Sequence, residues 1–401
     1  GVATQDYLFV TFQLLFAATA CTIVSGCVCE RISFYAYLGY AFLLTSFVYP
    51  VISHWVWSGD GWLNGFPASP GQPSRLFGQG AIDFAGCSVV HMVGGFSGLI
   101  GCAVIGPRHG RFDSEGNPIP MPGHSAALTA LGAFLLWFGW LGFNPGSALV
   151  AATEVSDPVV LSDGSIAYVQ PHLGIARASL NTILAAGSGG LTALLIVRIR
   201  DRINDLTACL NGMLAGLVSI TSGCAFVEVY AAIVIAMIGS AIYLGTSKLE
   251  LMLKLDDPLE AWPIHGAVGM WGIFAEGLFS RELHQAEAGF LIRSWGAFYG
   301  GGGRLLAAEV ITILVVIGFV SAIMGPFFLI LKAVGLLRIS ADAELLGNDF
   351  EGHGGFAYPE DVIETVEAEE TVKELPPNFL NRTIMIDSRK DSASKINHED
   401  V

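Results

Sequence analysis

Nine long apolar runs constrain this chain to cross a lipid bilayer repeatedly. A helix needs roughly 17–25 apolar residues to span the hydrocarbon core, and each run is about that long or longer. Charged residues make up only 14% of the chain, against about 25% in an average soluble domain. We therefore predict an all-α polytopic membrane protein with nine visible transmembrane helices. The runs lie near residues 7–29, 34–55, 84–106, 124–147, 173–197, 206–222, 228–247, 262–280 and 305–335.

The acidic charge of the chain is concentrated at its C-terminus. Residues 339–401 contain 15 acidic and 5 basic residues, which gives −10 of the total net charge of −15. This balance argues against a nucleic-acid partner. We expect a membrane domain over residues 1–338 and an acidic tail over 339–401, disordered after about residue 359. One set of loops carries ten basic residues and the other five, so the positive-inside rule predicts a cytoplasmic tail.

A spaced motif, Asp-x7-His-x3-Gly-x2-Gly, occurs twice in apolar surroundings. One copy begins at Asp83 and contains His91, and the other begins at Asp257 and contains His265. The copies lie on the third and eighth runs, so they cross the membrane in opposite directions, as in an inverted repeat. An imidazole at membrane depth is costly and usually marks a pathway or a site. The motif therefore predicts two halves of one site, with chance recurrence as the alternative.

Four segments of the chain resemble those of a known family. They read DFAGCSVVHMVGG, FLLWFGWLGFNPGS, DDPLEAWPIHG and HGGFAY. Over about residues 5–358 the chain is similar to ammonium transporters of the Amt/Mep/Rh superfamily, plant-type Amt branch. The resemblance implies eleven helices arranged as five, five inverted and one, of which this chain apparently lacks the first two. It also implies a homotrimer with one pore per subunit and transport of ammonium or ammonia. We expect no cofactor and no metal site.

The resemblance assigns an outer cation-recruiting site to five residues. Aromatic faces attract cations by about 0.5–2 kcal/mol, and a hydroxyl can accept a hydrogen bond from ammonium. In the family an aspartate orders the backbone near this site and favours a positive charge there, without being a ligand of the ion. Without the resemblance, Trp57 would be read as an interfacial anchor. The assigned residues are Trp57, Phe12, Ser147, Asp83 and, as a further hydroxyl, Thr221.

Phe16 and Phe143 match the pair of rings that closes the pore below that site, and His91 and His265 match the twin pore histidines. Apolar rings exclude hydrated ions because a bare charge in a dry region is strongly disfavoured. Neutral imidazoles can share a proton across ring nitrogens and relay it. The alternatives are ordinary helix packing for the phenylalanines and separate backbone bonds for the histidines.

A departure from the family pattern lies in the tail. Plant-type relatives carry a threonine whose phosphorylation is associated with shutdown of transport, where this chain has Glu351. We expect this phosphorylation switch to be absent, or the carboxylate of Glu351 to mimic the phosphate in part. We predict a transporter of the plasma membrane. The alternative is an ammonium sensor with little flux that signals through the tail. An intramembrane enzyme is disfavoured because the histidines and carboxylates form no catalytic set.

Overall fold

The computed structural model describes residues 4–66, 76–149, 158–288, 294–353 and 355. All nine predicted runs are helical, which confirms the predicted all-α membrane fold. Seven helices are long and apolar enough to cross a membrane in this part of the chain. The other two are a helix of 15 residues and one whose first turn is π-helical. The first six of the nine are α1 (Thr4–Val28), α2 (Phe34–Leu43, then a π-helical turn Leu44–Val48, then Tyr49–Trp57), α3 (a π-helical turn Cys87–Met92, then Val93–Ile105), α4 (Ala126–Gly146), α5 (Pro171–Asp201) and α6 (Leu206–Ile220). The last three are α7 (Val229–Met252), α8 (a π-helical turn Trp262–Ala267, then Val268–Phe279) and α10 (Arg304–Ala333). A short helix, α9 (Glu282–Glu287), and a 3-10 turn (Ala297–Tyr299) lie between α8 and α10.

Alternating helix directions give the bundle two ends. The Arg31 end comprises residues 29–33, 106–125, 202–205, 253–261 and 334–340. The Trp57 end comprises residues 58–66, 76–86, 147–149, 158–170, 221–228, 280–288 and 294–303. The latter includes a hairpin of two short antiparallel strands, β1 (Pro158–Val160) and β2 (Ile166–Tyr168), with Val159 opposite Ala167.

The two motif helices, α3 and α8, cross in opposite directions at the centre of the bundle. The π-helical turn of α3 packs on the second segment of α8, and the π-helical turn of α8 packs on the second segment of α3. Motif glycines make this approach possible. A Cβ on Gly95 would lie 2.4 Å from the backbone nitrogen of Gly266, and one on Gly269 would lie 3.4 Å from the Cβ of His91. The reciprocal contacts are those of an inverted repeat.

A buried arginine joins the connections at the Arg31 end. The guanidinium of Arg31 is fully buried. It donates to the carbonyl oxygens of Gly106 at 2.7 Å and Asp256 at 2.6 Å, and to that of Cys27 at 3.2 Å. Charge-assisted bonds of this kind are stronger than neutral ones. They hold the ends of α1 and α3 against the connection between α7 and α8.

Residues Gly1–Ser340 form one unit and Ala341–Val401 a second. The described part of the second unit consists of two short helices, α11 (Ala341–Leu346) and α12 (Asn348–His353). The prediction of disorder after about residue 359 falls outside the described residues.

Candidate functional site

Both motif histidines lie in π-helical turns. His91 belongs to Cys87–Met92 and His265 to Trp262–Ala267. Such turns are rare and are frequent at functional sites. Each widened turn moves its histidine around the helix axis relative to the α-helical residues that follow. Apart from the motif itself, no pattern in the sequence indicates this geometry.

The aspartate before α3 organises its π-helical turn. Asp83 Oδ1 accepts from the backbone N–H groups of Gly86 and Cys87, at 3.0 and 2.8 Å. Its Oδ2 accepts from those of Ser88 and Val89, at 2.7 and 3.2 Å, and from the Ser88 hydroxyl at 2.6 Å. One fully buried carboxylate therefore satisfies four backbone donors that the start of a helix leaves open.

The two imidazoles meet at the crossing of α3 and α8. Nδ1 of His91 lies 3.1 Å from Nδ1 of His265, and the ring planes are 19° apart with centroids separated by 5.1 Å. A hydrogen bond between two Nδ1 atoms requires one ring to carry the proton there and the other to accept. His91 Nε2 is buried and has no hydrogen-bond partner among the described residues. The pair therefore shares one proton and keeps a free nitrogen at a cavity wall.

Two stacked phenylalanine rings lie on the Trp57 side of the histidines. The Phe16 and Phe143 centroids are 4.0 Å apart and their planes differ by 9°. Phe143 also stacks on His91, with a centroid distance of 5.7 Å. Phe16 is buried. The rings leave no direct route between them in this conformation.

Further toward the Trp57 end, two of the predicted recruiting residues adjoin this stack. The Phe12 and Phe16 centroids are 4.2 Å apart, and Trp57 contacts Phe16 edge-on at 5.9 Å. The Trp57 indole donates to the carbonyl of Asp83 at 2.6 Å. The Ser147 hydroxyl donates to the carbonyl of Phe143 at 2.8 Å, so its lone pairs stay available to accept.

Thr221 differs from the other four residues assigned to the outer site in its contacts. It is fully buried, its hydroxyl donates to the Leu217 carbonyl at 2.8 Å, and it accepts from the Trp140 indole at 3.2 Å. Trp140 in turn stacks on His91 at 5.4 Å. The structure thus joins Thr221 to the histidine pair through Trp140, and its role as an outer hydroxyl stays a prediction.

A cavity of about 1730 Å³ extends from Phe12, Phe16 and the histidine pair to the Arg31 end. Exposed residues of α1 and α4 line one side of it. At the Arg31 end its wall includes Glu250, which the sequence reasoning missed. The residue stands near the end of α7 without any motif, so only the fold reveals that it faces the same space as His265.

Glu351 belongs to α12, and its regulatory role stays a prediction.

Comparison with known proteins identifies the family. The model of the Ammonium Transporter Family matches residues 2–358. The chain belongs to the ammonium transporter family. Curated relatives include ammonium transporter 1 member 1 of Oryza sativa subsp. japonica, which is 47% identical over 353 residues, covering 88% of this chain and 69% of the relative. Ammonium transporter 1 member 2 of Arabidopsis thaliana is 47% identical over 355 residues, covering 88% and 67%.

Solved structures share the fold of this ammonium transporter family member. Mep2 of Candida albicans has a TM-score of 0.70 at 27% identity, covering 84% of this chain and 67% of that one. A sensor Amt protein has a TM-score of 0.70 at 30% identity, covering 84% and 75%. The family and the curated relatives are transporters rather than enzymes. The sensor alternative is not favoured, because the relatives of higher identity are named transporters.

Proposed function

We propose that this protein carries ammonium across a membrane along the cavity between the stacked phenylalanines and the Arg31 end. The observation that supports this best is the contact of 3.1 Å between His91 and His265. Two imidazoles from oppositely directed helices share a proton beside a buried aromatic stack. This arrangement suits a small molecule that gains and loses one proton.

The aromatic residues at the Trp57 end select a cation and then exclude its charge. Ammonium is attracted to the faces of Trp57 and Phe12 and donates to the Ser147 hydroxyl. It cannot pass the Phe16–Phe143 stack with its charge and water shell, because burying an unpaired ion is strongly disfavoured. Neutral ammonia passes when the rings separate. Deprotonation therefore precedes passage, and the stack discriminates against K⁺, which has no proton to lose.

The histidine pair accounts for both the proton and the ammonia. A proton that arrives at the outward nitrogen of one ring converts it to imidazolium. The shared proton moves across the Nδ1–Nδ1 contact, and the second ring releases a proton from its own Nε2. The pair holds at most one extra proton, because two charged rings would each present a donor at the contact. Ammonia hydrogen-bonds to the free nitrogens on the way.

We propose the assembly and location from the same family membership. The protein acts as a homotrimer in the plasma membrane, with one pathway per subunit. Residues 1–338 form the membrane domain, and residues 339–401 form a cytoplasmic tail, which places the Arg31 end inside. Ammonium and the lipid bilayer are its partners.

Substitution of both histidines tests the pathway. Uptake of labelled methylammonium is measured with competing K⁺ in yeast cells that lack their own ammonium transporters, and in proteoliposomes with the purified protein. The wild-type protein is expected to show saturable uptake that K⁺ leaves unchanged. The His91→Ala, His265→Ala double variant should lose this selectivity, because no imidazole pair remains to receive a proton.

Trp57→Leu serves as the matched variant. It should raise the half-saturating concentration about 2–30-fold, since the cation–π attraction is about 0.5–2 kcal/mol, and should leave selectivity intact. Thermal unfolding in detergent checks that each variant is folded. Wild-type selectivity in the folded double variant, or no uptake by the folded wild-type protein, would overturn the proposal.

A further inference from the structure

A fully buried carboxyl group of the last transmembrane helix is bonded to the backbone beside Asp83. Glu309 lies in α10, which carries neither copy of the motif and packs against α3 and α8. Its Oε1 accepts from the backbone N–H of Ile82 at 2.8 Å. Its Oε2 has no hydrogen-bond partner among the described residues. Burial of such a group is costly, and the bond to Ile82 is the contact by which Glu309 influences the site.

The backbone that Glu309 holds is buried and is not part of a helix. Residues 82–85 lead into the π-helical turn of α3, so partners outside the segment must satisfy its polar backbone groups. The Ser222 hydroxyl donates to the carbonyl of Ile82 at 2.9 Å. The Ser222 carbonyl accepts from the N–H of Phe84 at 3.1 Å. Glu309 and Ser222 therefore hold the residues on both sides of Asp83.

The segment between these anchors carries the hydrogen-bond acceptor of Trp57. The indole of Trp57 donates to the carbonyl of Asp83 at 2.6 Å, and this carbonyl belongs to the same peptide group as the N–H of Phe84. The bond fixes the direction of the indole, which contacts Phe16 edge-on. A ring attracts a cation through its face. A displaced Asp83 carbonyl would therefore turn the face of Trp57 away from the outer cation-recruiting site.

We propose that Glu309, together with Ser222, is a positioning residue for the outer cation-recruiting site. The inference rests on the proposed function. Both side chains are fully buried, and neither touches the ion. They fix the backbone around Asp83 and thereby the carbonyl that holds Trp57. The last transmembrane helix thus raises the affinity for ammonium through a bond to backbone and not through a contact with the ion.

Two substitutions of Glu309 separate its oxygen from its charge. Glu309→Gln keeps an acceptor oxygen for Ile82 at nearly constant volume, whereas Glu309→Met keeps the chain length and removes the acceptor. Uptake of labelled methylammonium is measured in the yeast cells that lack their own ammonium transporters. Glu309→Gln should keep the wild-type half-saturating concentration. Glu309→Met should raise it at least about twofold, the lower limit for loss of the cation–π attraction, and no more than Trp57→Leu raises it.

A second anchor and a control on the same helix make the result specific. Ser222→Ala removes the hydroxyl that holds Ile82 from the other side and should raise the half-saturating concentration as well. Thr312→Val is the control, because Thr312 is equally buried on α10 but donates to Ala308 of its own helix at 2.9 Å. It should leave the value unchanged. Thermal unfolding in detergent checks each variant, and Ser222→Ala decides the test if Glu309→Met does not fold.

A double variant tests whether Glu309 acts through Trp57. If it does, Glu309→Met should add little to the effect of Trp57→Leu, because the indole that it positions is already absent. Residues that act through a shared partner give effects that are less than additive. Fully additive effects on the half-saturating concentration would mean that Glu309 acts elsewhere and would overturn the proposal.

The remaining outcomes also decide the matter. Wild-type half-saturating concentrations in folded Glu309→Met and Ser222→Ala would refute the positioning role. A change in maximal rate alone would show that these residues only support folding. An equal rise in Glu309→Gln and Glu309→Met would show that the charge acts and not the acceptor. In each case wild-type uptake continues and the proposed function stands. If the folded wild-type protein takes up no methylammonium, the proposed function itself fails.

Discussion

A single buried carboxylate determines the local structure at the Trp57 end of the candidate site. Asp83 accepts four backbone N–H groups and one hydroxyl, and its own carbonyl accepts the Trp57 indole. The motif counterpart, Asp257, is less engaged: its Oδ2 accepts from the Trp262 N–H at 2.8 Å and the Cys27 thiol at 3.2 Å. The two motif copies are therefore alike in sequence and unequal in hydrogen bonding.

Replacement of each aspartate by asparagine should expose this difference. In Asp83→Asn an NH₂ group must face backbone donors, so at least two buried N–H groups lose their acceptor. The expected loss of stability is about 3 kcal/mol. Asp257→Asn can keep its oxygen on Trp262 and should lose clearly less. Thermal unfolding of the purified variants, followed by tryptophan fluorescence, measures both. Equal unfolding temperatures would contradict the unequal roles.

At the scale of elements, the crossing of α3 and α8 determines the distance between the histidines. Gly95 contacts Gly266 backbone to backbone, and Gly269 lies against Cys87 and His91. Small residues allow this approach, and the π-helical turns orient the imidazoles within it. The contact of 3.1 Å between the rings depends on both features.

Gly95→Ala should separate the two helices. The added Cβ would lie 2.4 Å from a backbone nitrogen that cannot rotate away. Overpacking of this kind costs about 1–3 kcal/mol, and the shift should lengthen the Nδ1–Nδ1 distance beyond hydrogen bonding. We expect lower thermal stability and loss of selective methylammonium uptake.

Gly187→Ala on α5 is the control, because no atom lies within 4 Å of its new Cβ. It should leave uptake unchanged and should not lower stability, since alanine favours helix over glycine. Wild-type uptake in Gly95→Ala would show that the histidine contact tolerates a wider crossing.

The sequence predicted the elements better than their internal geometry. Apolar runs and the matched motifs were sufficient for nine helices and for the antiparallel pairing of α3 and α8, because span length and direction follow from hydropathy and counting. The π-helical turns were not predicted, because hydropathy and span length carry no signal of a widened turn. The hydrogen bonds of Asp83 that organise the turn of α3 are local, to residues 86–89, but their effect on helix type is visible only in the structure. The run at residues 206–222 gave a helix of only 15 residues, because a buried non-helical segment follows at Thr221–Val227.

At the scale of the whole molecule, charged side chains tie the helix ends together at the Arg31 end. Asp256 is buried and accepts from the Arg108 side chain at 2.8 Å and from Arg111 at 3.1 Å. Arg338, after α10, donates to the carbonyls of Ile105 and Pro107 at 3.1 and 2.8 Å. These bonds connect segments that are far apart in sequence and surround the mouth of the cavity.

Separation along the chain explains which site residues could be recognised from the sequence. His91 and His265 stand in a repeated motif, so local spacing was enough to single them out. Glu250 lines the same cavity as residues of α1, α4 and α6, which are far from it in sequence. No spacing rule marks such a residue, because the wall is assembled by tertiary packing. The fold therefore adds cavity-lining residues near the Arg31 end to a candidate site that the sequence described mainly at the Trp57 end.

Asp256→Asn should loosen the Arg31 end as a whole. Burial acts to raise the pKa of Asp256, but the hydrogen bonds and charge of Arg108, with Arg31, outweigh it and lower the pKa below its ordinary value. A lowered pKa means that the ion pairs stabilise the protein above about pH 4, the ordinary value for aspartate, and that this contribution is lost as the pH falls through the folded-state value. Wild-type stability from this source should be constant between about pH 5 and 8.

The variant should be less stable by about 3–5 kcal/mol over that whole range, since it leaves Arg108 and Arg111 without their shared carboxylate. Below about pH 4 the difference from the wild-type protein should shrink, because the wild-type carboxylate is then protonated as well. Asp201→Asn breaks an exposed pair with Arg200 and should change stability little. Thermal unfolding of the three proteins across pH 3–8 measures the difference. A stability gap that does not narrow in acid would mean that Asp256 acts through packing and not through its charge.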